Sequence, residues 1–364
     1  MKRIYPCIEI DLAKIKNNCS IIKKLCDDKN IEVVAITKGF CAEKPIIKAI
    51  IDSGIKSIGD SRIQNLKPAQ NFNCTRYLVR IPMESDVNNV IKYSDISLNS
   101  ELEVIKKLSK AAKKAKKIHK IILMIDLGDL REGILELDLL DVVKEVLKLP
   151  NIELVGLGTN LTCYGGVIPD KDNLGKLIKL KERVENVFNI QIPIVSGGNS
   201  SSLYMVINGE IPKGITQLRI GEGILLGNET AFGNVIDGTS QTAFKLKAEI
   251  VEIKNKPSVP KGKIGLNAFG EVPAFKDLGV MKRAIVAIGR QDINIDGLIL
   301  EDEKITLLGA SSDHLILDVT ESNKEYRIGD IIEFNIKYSC LLQSMTSNYI
   351  TKYYKKYDNI KDEW

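Results

Sequence analysis

EVVAITKGFCAEKPIIKAIIDSGIKSIGD, residues 32–60, reads as a strand, a helix and a second strand. Glu32 to Thr37 is a run of apolar, mostly β-branched residues, and Glu43 to Ser53 carries its apolar residues at helical spacing. Ser53-Gly54 is a turn signal, after which Ser57 to Asp60 resumes the strand pattern. The same grammar continues to about residue 230. Further strands are expected at Arg76 to Ile81, Asp95 to Leu98, Lys120 to Leu127, Glu153 to Gly158, Ile192 to Ser196 and Gln217 to Gly221. Helical patterns such as Leu102 to Lys117, Leu137 to Leu149 and Leu174 to Val187 lie between them. Strand and helix in alternation build a parallel sheet, and roughly eight strands are the number that closes one into a barrel.

Near residue 240 the helical periodicity stops. Short strand patterns follow at Ala243 to Ile253, Arg283 to Ala287, Lys304 to Leu308, Leu315 to Val319 and Asp330 to Ile336, separated by turn clusters such as Lys256-Pro257-Ser258. The fold class expected is therefore α/β, a (β/α)8 TIM barrel over residues 11–235 followed by an all-β C-terminal domain. That domain comprises residues 236–364 with residues 1–10, because Ile4 to Ile10 reads as a strand placed ahead of the first barrel helix.

At 364 residues the chain has room for a large barrel and a second domain. The net charge of +5 is small, and its lysines are interspersed with acids, which speaks against a nucleic-acid partner. The densest basic run, Lys106 to Lys120, carries Leu108, Ala111, Ala112 and Ala115 at helical spacing and reads as the wet face of an amphipathic helix. Seven cysteines without a C-x-x-C pair suit a reducing compartment. The opening MKRIYPCIEIDL holds no apolar core, and no later run is long enough to span a bilayer. A cytoplasmic protein without a membrane partner is expected.

Function in such a barrel gathers at the C-terminal ends of the strands. The first strand ends in Thr37-Lys38-Gly39, and an amine at the end of an apolar strand would be desolvated and made nucleophilic. A lysine snorkelling off a strand end would look the same. The second strand ends in Gly59-Asp60-Ser61-Arg62, the fifth in Asp126 to Gly133, and the sixth in Gly158-Thr159-Asn160. The seventh ends in Ser196-Gly197-Gly198-Asn199-Ser200-Ser201-Ser202. That stretch has the backbone N–H groups and hydroxyls to hold a phosphate, although a capped helix with a glycine turn is an equal reading of the loop alone. Its place after strand seven favours phosphate, and Arg219-Ile220-Gly221-Glu222-Gly223 would be the second half of the cradle.

A lysine on strand one, an arginine after strand five, the Ser/Gly loop on strand seven and Arg-x-Gly on strand eight, in this order, resemble the alanine racemase superfamily of fold-type III pyridoxal-phosphate enzymes. Ile8 to Leu12 is similar to the family's opening, and Gly289-Arg290-Gln291-Asp292 to the Gly-Arg stretch of its C-terminal domain. Within the superfamily GRQDI, LGASSDHLILD and LLQSMTSNY resemble the ornithine racemase branch. The resemblance implies the cofactor pyridoxal 5'-phosphate and the interconversion of L- and D-ornithine by removal and return of the Cα proton. It implies that Lys38 carries the cofactor as a Schiff base and serves as one acid/base, and that Arg219 faces the pyridine nitrogen. Arg131 would support the phenolic oxygen, Asn160 would pack at the ring, and Ser200, Ser201, Gly221 and Glu222 would hold the phosphate. It also implies a homodimer whose active site is completed by the partner's C-terminal domain.

Two departures from the family follow. Asn160 stands where alanine racemases have a histidine, and Leu266 falls where they place the tyrosine base of the opposite face. A second base must therefore come from elsewhere, because racemisation needs a proton donor and acceptor on both faces of Cα. Cys340, Tyr338 and His314 are the candidates, and two have a structural alternative: Cys340 as a core thiol and His314 as a satisfied imidazole. Tyr338-Ser339-Cys340 is similar to the His-x-Cys metal pair of D-amino acid aldolases and dehydratases, with tyrosine for histidine, so no metal is expected. For a diamino acid, Asp292, Asp313 and Glu132 are the candidate partners of the terminal ammonium, or else surface acids. The competing readings are a lyase of the same fold and a non-enzymatic pyridoxal-phosphate carrier.

Overall fold

The computed structural model describes residues 3–356, and the chain divides into two compact units. One runs from Leu12 to Gln241, and the other joins the segment ending at Asp11 to the segment beginning at Thr242.

The first unit is a closed barrel of eight parallel strands. After β1 (Cys7–Asp11), which belongs to the other unit, these are β2 (Glu32–Ile36), β3 (Ser57–Asp60), β4 (Thr75–Leu78), β5 (Ile96–Asn99), β6 (His119–Met124), β7 (Ile152–Gly158), β8 (Ile194–Ser196) and β9 (Gln217–Ile220). Pairing of β9 with β2, Arg219 beside Val34, closes the ring. Side chains alternate between two cores, as a period of two demands. Val34, Ile36, Tyr77, Ile96, Leu98, Ile122, Met124 and Val155 fill one cluster, while Leu78, the neighbour of Tyr77, packs with Val90, Ile91 and Leu108 in the helical layer. Burying each such side chain contributes about 1.5–3 kcal/mol. Gly156 is required by this packing, since a Cβ there would lie 2.9 Å from Ile122 and Ile194.

The helices obey local chemistry. Leu102–Lys114 buries Ile105, Leu108, Ala111 and Ala112 and leaves its lysines in water, the amphipathic reading of the basic run. Lys171–Phe188 begins at a reciprocal cap, the Asp170 side chain accepting from the Asn173 N–H, and ends at Asn189 in the left-handed region.

The second unit is an eight-stranded sheet. Its strands after β1 are β10 (Phe244–Pro257), β11 (Val280–Val286), β12 (Leu298–Leu300), β13 (Thr306–Ala310), β14 (Leu315–Asp318), β15 (Ile331–Ile336) and β16 (Thr351–Lys355). The order β12-β15-β10-β11-β14-β13 is antiparallel throughout, with β1 between β10 and a parallel β16. A helix, Tyr338–Thr346, follows β15.

Candidate active site

The C-terminal ends of the barrel strands carry the charged and hydroxylic residues singled out above. Arg219, on β9, is 4 % exposed. Its guanidinium donates to Ser196 Oγ at 2.5 Å, the Thr159 carbonyl at 2.7 Å and Asn160 Oδ1 at 3.3 Å, and among the described residues to no carboxylate. Burial pushes its pKa down to about 10, so it remains a cation at neutral pH. Behind it a relay of hydrogen bonds runs down the barrel. Ser196 Oγ meets Gln217 Oε1 at 3.0 Å, and Gln217 Nε2 donates to Tyr77 Oη at 3.1 Å and Glu32 Oε2 at 3.0 Å. The guanidinium is thus held in one orientation by neutral groups.

Beside it lies a cradle. The N–H groups of Gly221 and Gly223 both point at Ser200 Oγ, at 3.3 and 3.2 Å. Ser201 is fully buried, and its Oγ has no hydrogen-bond partner. Gly223 has no room for a side chain, a Cβ there meeting Leu203 at 2.8 Å. Burial raises the half-buried Glu222 carboxyl above its usual range. An orphan hydroxyl beside convergent N–H donors and a buried cation fit a ligand that brings acceptors, a phosphate and a ring nitrogen among them.

Lys38 opens a short turn, Lys38–Phe40, directly after β2. Contrary to the expectation of a desolvated amine, it is exposed. The strand ends at Ile36, and Lys38 stands exposed at the rim between the buried Thr37 and the buried Gly39 and Phe40. Arg131, on the loop after β6, is paired with the adjacent Glu132 through two of its nitrogens. Asn160 links three groups: its oxygen accepts from Asn199 at 3.0 Å and from Arg219, and its amide donates to Cys163 Sγ at 2.9 Å. Asp129 ties down the loop that carries Cys163. Burial opposes its charge, but N–H bonds from Tyr164, Cys163, Val167 and Gly165 outweigh burial and hold its carboxyl below the usual range.

The model of the alanine racemase N-terminal domain matches residues 10–229. The chain belongs to the alanine racemase family. It is 50% identical to the ornithine racemase of Acetoanaerobium sticklandii over 96% of this chain and 99% of that protein. It is 41% identical to the lysine racemase of Thermotoga maritima, over 97% and 99%. Among solved structures, the alanine racemase from Bartonella henselae with covalently bound pyridoxal phosphate has the same fold, at a TM-score of 0.73 with 16% identity, covering 97% of this chain and 100% of that one.

In this family member the remaining candidate residues lie in the β-rich unit. Arg290 and Gln291 donate their N–H groups to the Ser311 and Ser312 carbonyls at 3.0 and 2.9 Å, and Gln343 of the helix Tyr338–Thr346 donates to the Arg290 carbonyl at 2.7 Å. His314 is exposed and bonds Asp313 at 2.8 Å, which holds the Asp313 carboxyl below its usual range. Asp292 is 8 % exposed and accepts from Ser347 at 2.6 Å, so it is poorly placed to meet an ammonium within its own unit. Tyr338 is half-buried. Cys340 departs from the expectation of a second base. It is fully buried against Gly297, and burial drives its thiol up to about 12, which makes it a core residue. Among the described residues no group of three or more His, Cys, Asp or Glu side chains is arranged to hold a metal ion.

Strand-end reading missed Gln217, Glu32 and Cys163. Glu32 and Gln217 open their strands, where function is not expected, and only the pairing of β9 with β2 shows that they meet.

Proposed function

We propose that this protein is a pyridoxal-phosphate-dependent racemase of a basic amino acid, interconverting L- and D-ornithine. The observation that carries the reading is Arg219, a buried cation that among the described residues donates to no carboxylate, beside a Ser/Gly cradle that contains the Ser201 hydroxyl, unpartnered among the same residues. The 50% identity to an ornithine racemase and 41% to a lysine racemase, each over nearly the whole chain, support a substrate with a terminal ammonium.

Pyridoxal phosphate, when bound, supplies an electron sink that makes the Cα proton removable. This chain's residues would do the rest. Lys38 anchors the cofactor and moves a proton at one face of Cα. Ser200, Ser201 and the N–H groups of Gly221 and Glu222 hold the phosphate. Arg219 faces the ring nitrogen and, as a permanent donor, keeps a proton off it, which favours return of the Cα proton over side reactions. Asn160 packs beside Arg219, and Arg131 supports the phenolic oxygen.

The second face falls to Tyr338 or His314, reaching the barrel of the other subunit in a homodimer. Of the acids offered to the terminal ammonium, Asp313 suits best, being exposed and held ionised. All three are engaged, Glu132 by Arg131, Asp292 by Ser347 and Asp313 by His314, and of them Asp313 alone is exposed. Seven cysteines without a C-x-x-C pair support a reducing, cytoplasmic setting. Among the described residues no helix is long and apolar enough to cross a membrane.

The test is incubation of the purified protein with L-ornithine, L-lysine or L-alanine, followed by chiral chromatography. D-ornithine is expected to form fastest and D-alanine slowest. No D-enantiomer from any of the three would overturn the reading.

A further inference from the structure

Lys38 is exposed, yet the residue before it is among the most tightly held in the barrel. Thr37 is fully buried. Its N–H donates to the Gly59 carbonyl at 2.8 Å, and its own carbonyl accepts from Phe40 at 3.1 Å and Ala42 at 3.3 Å. Its hydroxyl donates to Asp60 Oδ2 at 2.6 Å. Asp60 closes the neighbouring strand, β3, and is itself fully buried. Besides Thr37 it accepts from the Arg62 N–H at 2.8 Å and, through both oxygens, from Asn65 Nδ2 at 3.1 Å. The turn these bonds hold is strained. Cys41 and Ala42, two consecutive residues with side chains, both sit at φ 53°, in the left-handed region. Such strain persists where the surroundings over-determine the backbone, and it marks functional turns.

We propose that Asp60 is a positioning residue for Lys38: its buried carboxylate pins the turn from which Lys38 projects and sets the electrostatic field in which the Lys38 amine works.

A neutral side chain would pin the turn without bringing a charge out of water. Burial pushes the Asp60 carboxyl up, against the downward pull of its hydrogen bonds and of the Lys38 charge. The other groups on it contribute no charge: Thr37 and Asn65 are neutral, and Arg62 meets it through its backbone N–H. What places the charge near Lys38 is geometry: the carboxylate is hydrogen-bonded to Thr37, the residue before it, at 2.6 Å, and the Lys38 charge adds the last and smallest of the downward pulls. A negative charge nearby favours the protonated form of a nitrogen at the end of Lys38, and a fixed turn keeps that nitrogen at one height over the rim.

The inference rests on the reading of Lys38 as the cofactor-bearing lysine, and the experiment separates the two. Holoenzymes of wild type, Asp60→Asn, Thr37→Val and Lys38→Ala are compared for kcat and KM on ornithine, for thermal midpoint and for the pH midpoint of the bound cofactor's visible absorbance. Asp60→Asn is expected to lower kcat about ten-fold or more, with KM within about two-fold. It is also expected to move the absorbance midpoint to lower pH, because the negative charge is gone. Thr37→Val, which keeps the charge, should lower kcat by a smaller factor and leave the absorbance midpoint in place. Wild-type kcat and midpoint in Asp60→Asn would overturn the proposal, as would a fall in thermal midpoint and kcat together with no movement of the absorbance midpoint. Should Asp60→Asn not fold, wild-type kcat in Thr37→Val overturns it. A normal cofactor band in Lys38→Ala would instead sink the reading of Lys38.

Discussion

Arg219→Gln should uncouple stability from activity. Burial takes the guanidinium from its ordinary 12.5 down to about 10. At about 1.4 kcal/mol for each tenfold change, the folded protein bears about 3 kcal/mol to keep that charge out of water. Glutamine removes this burden and leaves a carboxamide able to serve one or two of the three acceptors, Ser196, Thr159 and Asn160. A buried acceptor left without a donor costs about 1–3 kcal/mol. The terms nearly cancel, so urea denaturation of the cofactor-free variant should give a stability within about 2 kcal/mol of wild type. Turnover should not survive so well. Without a permanent cation at the ring nitrogen, racemisation should fall by about a hundred-fold or more, and a larger share of turnovers should end in loss of the cofactor's carbonyl form. The assay pairs chiral chromatography with the cofactor's spectrum through prolonged turnover. A variant that loses more than about 4 kcal/mol of stability while its remaining folded fraction racemises normally would show that Arg219 is a structural brace.

Two further predictions concern residues away from the cofactor. His119 is buried against Ser97, and burial lowers its pKa to about 4, so the folded protein keeps it neutral while the unfolded chain takes up a proton near 6.5. Its contribution is therefore complete above pH 6.5 and is lost as the pH falls towards 4. Urea midpoints should register a loss of about 2 kcal/mol in wild type between pH 7 and pH 5 that His119→Gln largely lacks, and an equal loss in both would refute it. Cys340→Ala should lower stability by about 1 kcal/mol and leave kcat in both directions unchanged, whereas a loss of one direction of proton transfer would restore the thiol as a base.

Much of the barrel is legible in the sequence because each strand buries both faces, and an apolar, β-branched run such as Val33 to Ile36 has little other use. The β-unit is less so. β16, TKYYK, is short and charged, and its reason for being a strand is a parallel pairing with β1 at the other end of the chain. The helix Tyr338–Thr346 lacks a capping side chain at Lys337, so nothing local announces it, and two of its residues read instead as a second base. Side-chain identities at the strand ends pointed to Lys38, Ser200 and Arg219, but who holds them did not follow. That Gln217 stands behind Ser196 and that Asp60 holds Thr37, the residue before Lys38, depend on distances between strands. Alternation along one strand does not carry that information.

The account stands on Lys38 as the residue that holds the cofactor. The direct measurement is the visible absorbance spectrum of the protein purified with pyridoxal phosphate present, for wild type and Lys38→Ala, before and after exhaustive dialysis. A band that survives dialysis in wild type and is absent from a folded Lys38→Ala protein, with D-ornithine formed by the first alone, is the predicted result. A dialysis-stable band in both, or in neither, would contradict it.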